Sequence, residues 1–581
     1  MAGNNQQLAA LFQQMADILE ITGANRFRVN AFVRAARVLE DLAQDVTGMA
    51  PQDLSELPGI GKGMAKRIVE FAESGAIAEH RGLLETVPTD LLKMLDIPGL
   101  GPKTVALLWK EAGIETEQDL RDKLEGDQLA ALPGMGKKKI QNLRKNLRFM
   151  EIASQRVKIG VALPLAKWFV RQLNTLKAVN KVTFAGSLRR GQETIGDIDL
   201  LVAANPKNAG KISDAFVALG PVTEVILKGP TKTSIRTGED TAHLQVDLRI
   251  VAPASYGAAL MYFTGSKEHN IAMRERAIKQ RVRLNEYGLI KESDESVIAG
   301  ATEEDVFEAL GLAWTPPELR AGRNEIALAE SNSLPKLIEH GDLKAELHAH
   351  TRASDGHWTI RELALAAAQC GFHTVAVTDH SKGQAQANGL DEKRLEKHIE
   401  MIHEAAAEFK KTITILAGTE VDILADGKLD YPDSLLSELD IVVASPHVAL
   451  SQDPDKATRR LLRAIENPFV TIIGHPTGRL IGRREGLSPD MKKLIDAAAQ
   501  RSIAMEINAN YWRLDLRDSH ARAAIEAGVK LSINTDAHGP GDFGHLGYGV
   551  LTARRAGATK KDVINCMSGT ALAKWIKATR D

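Results

Sequence analysis

From residue 343 onward the chain alternates short apolar runs with helical stretches, and nearly every run ends in His, Asp or Glu. The runs read HTVAVTDH, ITILAGTE, LDIVVASPH, FVTIIGHP, IAMEINAN and VKLSINTDAH. Short β-type segments separated by helices restrict the fold to a parallel α/β barrel or a layered sheet. Such folds carry their chemistry at the C-terminal ends of the strands. Just before these runs, AELHAHTRASDGH (345–357) places His348 and His350 two apart on a strand, with Asp355 in the loop beyond. Both imidazoles therefore face one side. His380, Glu420, His447, His475, Asp536 and His538 follow at successive strand ends. Any one of these histidines alone would be read as structural. Nine donors together predict about three divalent ions, and mixed imidazole and carboxylate ligands suit Mn²⁺, Zn²⁺ or Fe²⁺ better than Mg²⁺.

The histidine distribution agrees. Thirteen of the sixteen lie from His340 onward, leaving only His80, His243 and His269 before it. With Cys370 and Cys566 as the only cysteines, a cysteine zinc cluster is excluded and a reducing compartment is expected. No run of 18 apolar residues occurs, and MAGNNQQLAALFQQ lacks the basic and apolar segments of a secretory signal. The expectation is a cytoplasmic protein with no membrane partner. Its 581 residues exceed one core, so three or more domains are expected.

Net charge is −1, but residues 101–300 hold 31 Lys and Arg against 22 Asp and Glu, a local excess of 9. That basic middle is a moderate footprint for a polyanion. Three stretches ahead of it or within it share a pattern: LPGIGKGMAKRI (57–68), IPGLGPKTVALL (97–108) and LPGMGKKKIQNL (132–143). Each is an apolar residue, Pro, Gly-apolar-Gly, then a predicted helix, with Lys62, Lys103 or Lys137 close by. The paired glycines Gly59 and Gly61, Gly99 and Gly101, Gly134 and Gly136 allow backbone N–H groups to approach an anion at a helix start. The pattern resembles the helix-hairpin-helix element, which holds DNA phosphates without reading bases. Residues 1–150 read as all-helical.

Beyond 151 the pattern changes to β-type runs, including KVTFAG (181–186), IDLLVAA (198–204) and LQVDLRIV (244–251). Asp197 and Asp199 alternate on one strand and face one way, while Asp247 falls on a neighbour. Three converging carboxylates require cations, and hard oxygen donors suit Mg²⁺ or Mn²⁺. Gly186, Ser187 and Arg190 form a small turn able to bind a triphosphate. Helical turns are expected from there to about 318.

GSLRRGQETIGDIDLLV, the later VDLR and YFTGSKEHNIAMR (262–274) resemble the family X DNA polymerases over roughly residues 1–320. The resemblance implies that Asp197, Asp199 and Asp247 are the catalytic metal ligands. It implies a dNTP site of Gly186, Ser187, Arg190, Gly196, Tyr262, Phe263, Gly265, Asn270 and Arg274. Tyr262 and Phe263 would line the sugar pocket, with Asn270 and Arg274 at the minor groove of the nascent pair. Two positions depart from relatives. Arg67 stands where some carry a lyase lysine, and a guanidinium cannot form a Schiff base. Gln245 stands two before the third aspartate, where some carry Arg.

Residues 341–581 resemble the polymerase and histidinol phosphatase (PHP) domain, with all nine ligand positions filled. The departures are Glu346, where Asp is usual, and Pro446 and Val448 around His447. HPTGRLIGRRE (475–485) strengthens the resemblance to the version fused to family X polymerases. Its Arg479, Arg483 and Arg484 read equally as phosphate guides or as salt-bridge partners.

The expected chain is multidomain: a helical helix-hairpin-helix region, an α+β nucleotidyltransferase palm and a distorted (β/α) barrel of PHP type. The boundaries are a helical DNA-binding domain at 1–80, a fingers-like helix-hairpin-helix domain at 81–150, a palm at 151–255, a thumb-like dNTP-selection domain at 256–320, a linker at 321–340 and the PHP domain at 341–581. The implied function is a monomeric repair polymerase that fills gapped or nicked duplex DNA from dNTPs. Its PHP centre would process ends as a 3′-5′ exonuclease, an abasic-site endonuclease or a 3′-phosphatase. The alternative, a PHP phosphoesterase with a non-catalytic polymerase-like DNA-binding module, is opposed by the intact aspartates.

Overall fold

The computed structural model describes the chain except for residues 1–3, 42–44, 58, 98–99, 127, 138, 142, 145–146, 148–155, 239–242 and 581. Two compact units form, residues 1–155 and 156–581.

The described part of the first unit is helical. Helix Asn4–Thr22 serves two cores. Phe12 meets Phe32 edge-on at 5.6 Å in one, and Ile18 and Ile21 reach Leu91 and Leu108 in the other. The three repeated stretches share one backbone hydrogen bond. Ile60 N donates to Leu57 O (2.9 Å), Leu100 N to Ile97 O (3.0 Å) and Met135 N to Leu132 O (3.1 Å). Gly61 and Gly101 then cap helices Lys62–Ser74 and Pro102–Ala112 without any side-chain hydrogen bond, and Gly136 O accepts from Lys139 N (2.8 Å). At Gly59 φ is +94°, and a Cβ would lie 3.0 Å from Val38, so the tight turn needs glycine. Gly99 lies outside the described residues.

The second unit opens with a five-stranded sheet ordered Lys181–Phe184, Asp197–Ala203, Gln245–Val251, Lys232–Thr237, Val222–Lys228. Its central pair, Asp197–Ala203 and Gln245–Val251, is parallel and sets Asp199 opposite Asp247. Residues 256–318 are not only helical turns. Helices Tyr256–Thr264 and Lys267–Lys279 are followed by a three-stranded antiparallel sheet, Val282–Asn285, Gly288–Lys291 and Val297–Ala299. Strands of three or four residues are too short for a period of two to stand out. In the segment expected as a linker, helix Glu325–Glu330 forms, Leu337 and Ile338 are buried, and Ile338 N donates to Ala558 O.

Seven parallel strands follow in sequence order: Ala345–Glu346, Thr374–Val377, Thr414–Asp422, Ile441–Ser445, Ile472–Ile473, Ala504–Asn508 and Leu531–Asn534. A parallel bridge between Ala349 and Ala537 brings the last strand back beside the first, so the barrel is nearly closed. Alternate residues enter separate cores. Ala376, Ile441, Val443, Ile472 and Ala504 point inward, toward Leu572 and Ile576 of helix Gly569–Arg580. Val375, Val442, Ala444, Ile473 and Met505 pack outward under the helices. Burial on both faces explains why the sequence shows continuous apolar runs rather than alternation.

Glu303 is 4% exposed and joins three segments of the second unit. It accepts two hydrogen bonds from Arg189 (2.7 and 2.8 Å), two from Arg320 (2.7 and 3.1 Å) and one from Trp314 Nε1 (3.0 Å). Burial opposes its charge, but the two guanidiniums outweigh it and hold the carboxyl down at about 2. Glu303→Gln, which leaves buried Arg320 and half-buried Arg189 short of a counter-charge, should cost roughly 3–5 kcal/mol in chemical denaturation at neutral pH. Because the folded pKa is depressed, this contribution is complete above about 4.5 and disappears as pH falls through about 2. The gap between wild type and variant should therefore close over that interval.

Candidate active sites

The first centre is built by strand register. Asp197 and Asp199 alternate on one strand, and Asp247 faces Asp199 across the parallel pair. Asp199 is pushed up to about 7 by burial first, then by Asp197 and Asp247. Asp197 is raised by burial and Asp247. Lys232 Nζ, 2.6 Å from Asp247 Oδ2, supplies one nearby positive charge. This set fits divalent ions, because one more cation between the carboxylates would remove the repulsion that now favours protonation. Gln245 Nε2 donates to Asp247 Oδ1 (3.0 Å), so the sequence departure orients a carboxylate oxygen without adding charge.

Gly186, Ser187, Arg190, Asp197, Asp199, Tyr262, Phe263, Gly265, Asn270 and Arg274 line one cavity of about 620 Å³. Gly186 has φ +63°, and a Cβ there would stand 2.5 Å from Asp199 Oδ2. Only glycine lets this turn approach the carboxylate. Arg190 Nη1 donates to Thr264 O, which ties the turn to the segment carrying Tyr262 and Phe263. Asn270 Nδ2 donates to Tyr262 O (2.7 Å), and Tyr262 and Phe263 stack edge-on at 5.2 Å. Gly196 is not in the cavity lining; it precedes Asp197 beside Arg156, whose Nη1 lies 3.4 Å from where a Cβ would stand.

The second centre gathers all nine candidate donors at the C-terminal rim of the barrel. Five imidazoles converge on Glu420: His380 Nδ1 at 2.8 Å, His475 Nε2 at 2.9 Å, His348 Nε2 and His447 Nε2 at 3.3 Å, and His350 Nε2 at 3.7 Å. Asp536 lies 2.9 Å from His350 Nε2, and Asp355 lies 3.3 Å from His538 Nε2. Three overlapping sets could each surround one ion: His350, Asp355, His380 and His538; His348, His350, Glu420 and Asp536; His380, Glu420 and His447. His475 stands outside these sets, against Glu420. The donor atoms themselves point to metal. Both Glu420 oxygens, His348 Nε2, His350 Nδ1, His380 Nδ1 and both His475 nitrogens are buried without a hydrogen-bond partner, which is costly unless a cation takes them up. Burial opposes charge on Glu420, yet His447, His348 and His380 hold its carboxyl well below the usual range.

Sequence reasoning missed the residues that hold these donors. Glu506 Oε1 is 2.8 Å from His348 Nδ1, and its Oε2 accepts from His475 N (2.8 Å). Asp422 bonds His447 Nδ1, and Asn508 Nδ2 donates to Asp536 Oδ2 (3.1 Å). The signal was there in the period of two: Glu420-x-Asp422 and Glu506-x-Asn508 each place two polar groups on one strand face. Glu346 takes no part in the cluster. It accepts from Thr535 N and Oγ1 and from His348 N, tying the first strand to the last, and burial pushes it up to about 8.

The arginines of the 475–485 stretch divide. Arg479 is buried and paired with Glu193 (2.6 Å), so it is a salt-bridge partner and not a phosphate guide. Arg483 and Arg484 are exposed, the first over the Trp512 ring and the second donating to Gly478 O. In the first unit Arg67 bonds Glu79 and Gly63 O and lies over Phe32, a structural position.

Family models match four segments: a helix-hairpin-helix domain at 3–77, a SAM-like helix-hairpin-helix tandem at 91–148, a DNA polymerase beta thumb at 259–321 and a PHP domain at 346–510. The chain is 37% identical over 565 residues to the DNA polymerase/3'-5' exonuclease PolX of Bacillus subtilis (strain 168), covering 97% of this chain and 98% of that protein. A probable phosphatase of Thermoanaerobacter sp. (strain X514) is 32% identical over 239 residues, 38% of this chain and 90% of that one. DNA polymerase lambda of Rattus norvegicus is 25% identical over 339 residues, 54% of this chain and 56% of that one.

Glu506 supplies the test of the histidine cluster. Glu506→Gln should lower Mn²⁺ or Zn²⁺ affinity at this centre by roughly 10–100-fold in calorimetric titration, because His348 loses the carboxylate that orients its ring.

Proposed function

Because this chain belongs to the family X DNA polymerases that carry a PHP domain, we propose that it fills short gaps in duplex DNA and trims the 3′ ends it extends. It is a DNA polymerase with a 3′-5′ exonuclease. The observation that carries this reading is the coexistence, in one folded unit, of a register-matched aspartate triad beside a nucleotide-sized cavity and a nine-donor histidine and carboxylate cluster. On this reading the DNA-binding domain is 1–80, the fingers-like domain 81–150, the palm 151–255, the thumb-like domain 256–320, the linker 321–340 and the PHP domain 341–581.

Asp197, Asp199 and Asp247 would hold Mg²⁺ or Mn²⁺, and the nine PHP donors about three ions of Mn²⁺, Zn²⁺ or Fe²⁺. When bound, these ions supply activation of the attacking oxygen and neutralisation of phosphate charge. The chain's own residues do the positioning. Gly186, Ser187 and Arg190 hold the triphosphate, and Gly265 lets the Arg190 guanidinium lie 3.2 Å from where a Cβ would stand. Tyr262 and Phe263 border the sugar, which favours a deoxynucleotide. Asn270, fixed through Tyr262 O, and Arg274 face the nascent pair. At the PHP centre the strand-end donors are fixed by Glu506, Asp422 and Asn508. The substrate is gapped or nicked duplex, held by backbone N–H groups at Gly61, Gly101 and Gly136 and aided by the turn glycines Gly59, Gly99 and Gly134. We place the enzyme in the cytoplasm as a monomer. Arg67, bonded to Glu79, favours the absence of a sugar-phosphate lyase step.

A 5′-labelled primer in a one-nucleotide gap with Mn²⁺ separates the activities. Asp197→Ala with Asp199→Ala should lose extension by roughly 10²-fold or more and keep shortening, while His348→Ala should do the reverse. Loss of both activities in either variant contradicts two separate centres.

A further inference from the structure

Within the second unit the palm and barrel meet along a seam. Arg479 fastens it through Glu193. Tyr511 packs onto Gly160, where a Cβ would come within 2.2 Å of its ring. Two cavities open along this seam. One, of about 420 Å³, is lined by Arg156, Gln192, Arg517 and Arg555, and the other, of about 730 Å³, by Thr477, Arg483, Arg484 and Arg517.

The two cavities are neighbours: Arg517 borders both, while Arg156 and Gln192 border the first and also the nucleotide cavity. At the far end, Thr477 is two residues past His475, and Arg484 lies near enough to Arg513 to feel its charge. Arg513 Nε is 3.9 Å from Asp536 Oδ2. The two cavities thus lie between residues that border the aspartate centre and residues that flank the histidine centre.

Their charge is unbalanced. Among the described residues, Arg156, Arg483, Arg484 and Arg517 make no ion pair. Arg156 donates only to Thr194, Arg484 to Gly478 O, and Arg483 lies 4.2 Å from the Trp512 centroid. Of the acids on the walls, Glu193 and Asp518 are engaged by Arg479 and Arg555, which leaves Glu485. A mononucleotide would need its cations gathered at one place. Unpaired guanidiniums strung along two neighbouring cavities fit successive phosphates of one strand.

We propose that the two cavities form one cleft, which binds the backbone of a single DNA strand whose 3′ end passes between the two centres. The proposal rests on the reading of the PHP centre as a 3′ nuclease. Arg517 is its pivot, and Arg483 and Arg484 guide the strand into the barrel.

The test uses the full chain with Mn²⁺ and a short fluorescein-labelled oligothymidylate, comparing wild type, Arg483→Glu with Arg517→Glu, and Arg483→Lys with Arg517→Lys. The Glu pair should raise Kd by anisotropy and KM for oligonucleotide cleavage about tenfold or more. It should also reduce the slope of log affinity against log salt by about 1.4, at ~0.7 per phosphate contact. The Lys pair should keep the slope, and all three proteins should hydrolyse bis(p-nitrophenyl) phosphate equally. If the Glu pair loses the small-diester reaction, the exposed single variant Arg517→Glu carries the same comparison with a slope change near 0.7. Unchanged Kd, KM and slope overturn the cleft. If wild type cleaves no DNA yet the Glu pair still loses binding, the nuclease reading fails and the cleft stands.

Discussion

Carboxylates buried close together cannot all stay ionised without cations between or beside them, and both centres are built on that constraint. At Asp199 the conflict is unrelieved by protein alone, and the carboxyl rises to about 7. At Glu420 it is relieved by His447, His348 and His380, and the carboxyl falls well below its usual range. The two solutions suit different ions. An all-oxygen set with one adjacent lysine suits a hard divalent cation that keeps its waters and a phosphate, whereas imidazole-rich donors retain borderline transition metals. The two centres thereby differ in ligand type as well as in position.

The parts that hold the two centres are shared. Arg189 and Arg190 leave the same short turn, one toward Glu303 and the thumb sheet, the other toward Thr264. A few residues on, Glu193 meets Arg479, four positions past His475. Arg555, paired with Asp518, reaches Arg190 O. The turn at Gly186 to Arg190 is therefore braced from the thumb on one side and from the barrel on the other. A turn mounted this way moves little on its own, which suits the positioning role proposed for it.

Much of this was legible in the sequence. The convergence of the nine candidate donors was readable because strand ends in a parallel barrel meet, so proximity follows from register rather than from side-chain detail. Asp197, Asp199 and Asp247 were readable for a similar reason, since alternation fixes the face. The helix-hairpin-helix turns showed through their paired glycines. What did not show depends on packing across long separations. Glu303 with Arg189 and Arg320, and Arg479 with Glu193, are ordinary charged residues until the fold brings them together. Glu506 and Asp422 looked like strand residues, and the short strands between Val282 and Ala299 carried too little periodicity to separate from turns. Arg479 in particular read equally as a phosphate guide, and only its burial decided the matter.

Anomalous diffraction from crystals of the full chain grown with Mn²⁺ tests the central claim most directly. The account predicts about three peaks within the His348, His350, Asp355, His380, Glu420, His447, His475, Asp536 and His538 cluster. It also predicts density at Asp197, Asp199 and Asp247 when a non-hydrolysable dNTP is present. Peaks at only one of the two places, under conditions that saturate the other in solution, would contradict a chain with two metal centres.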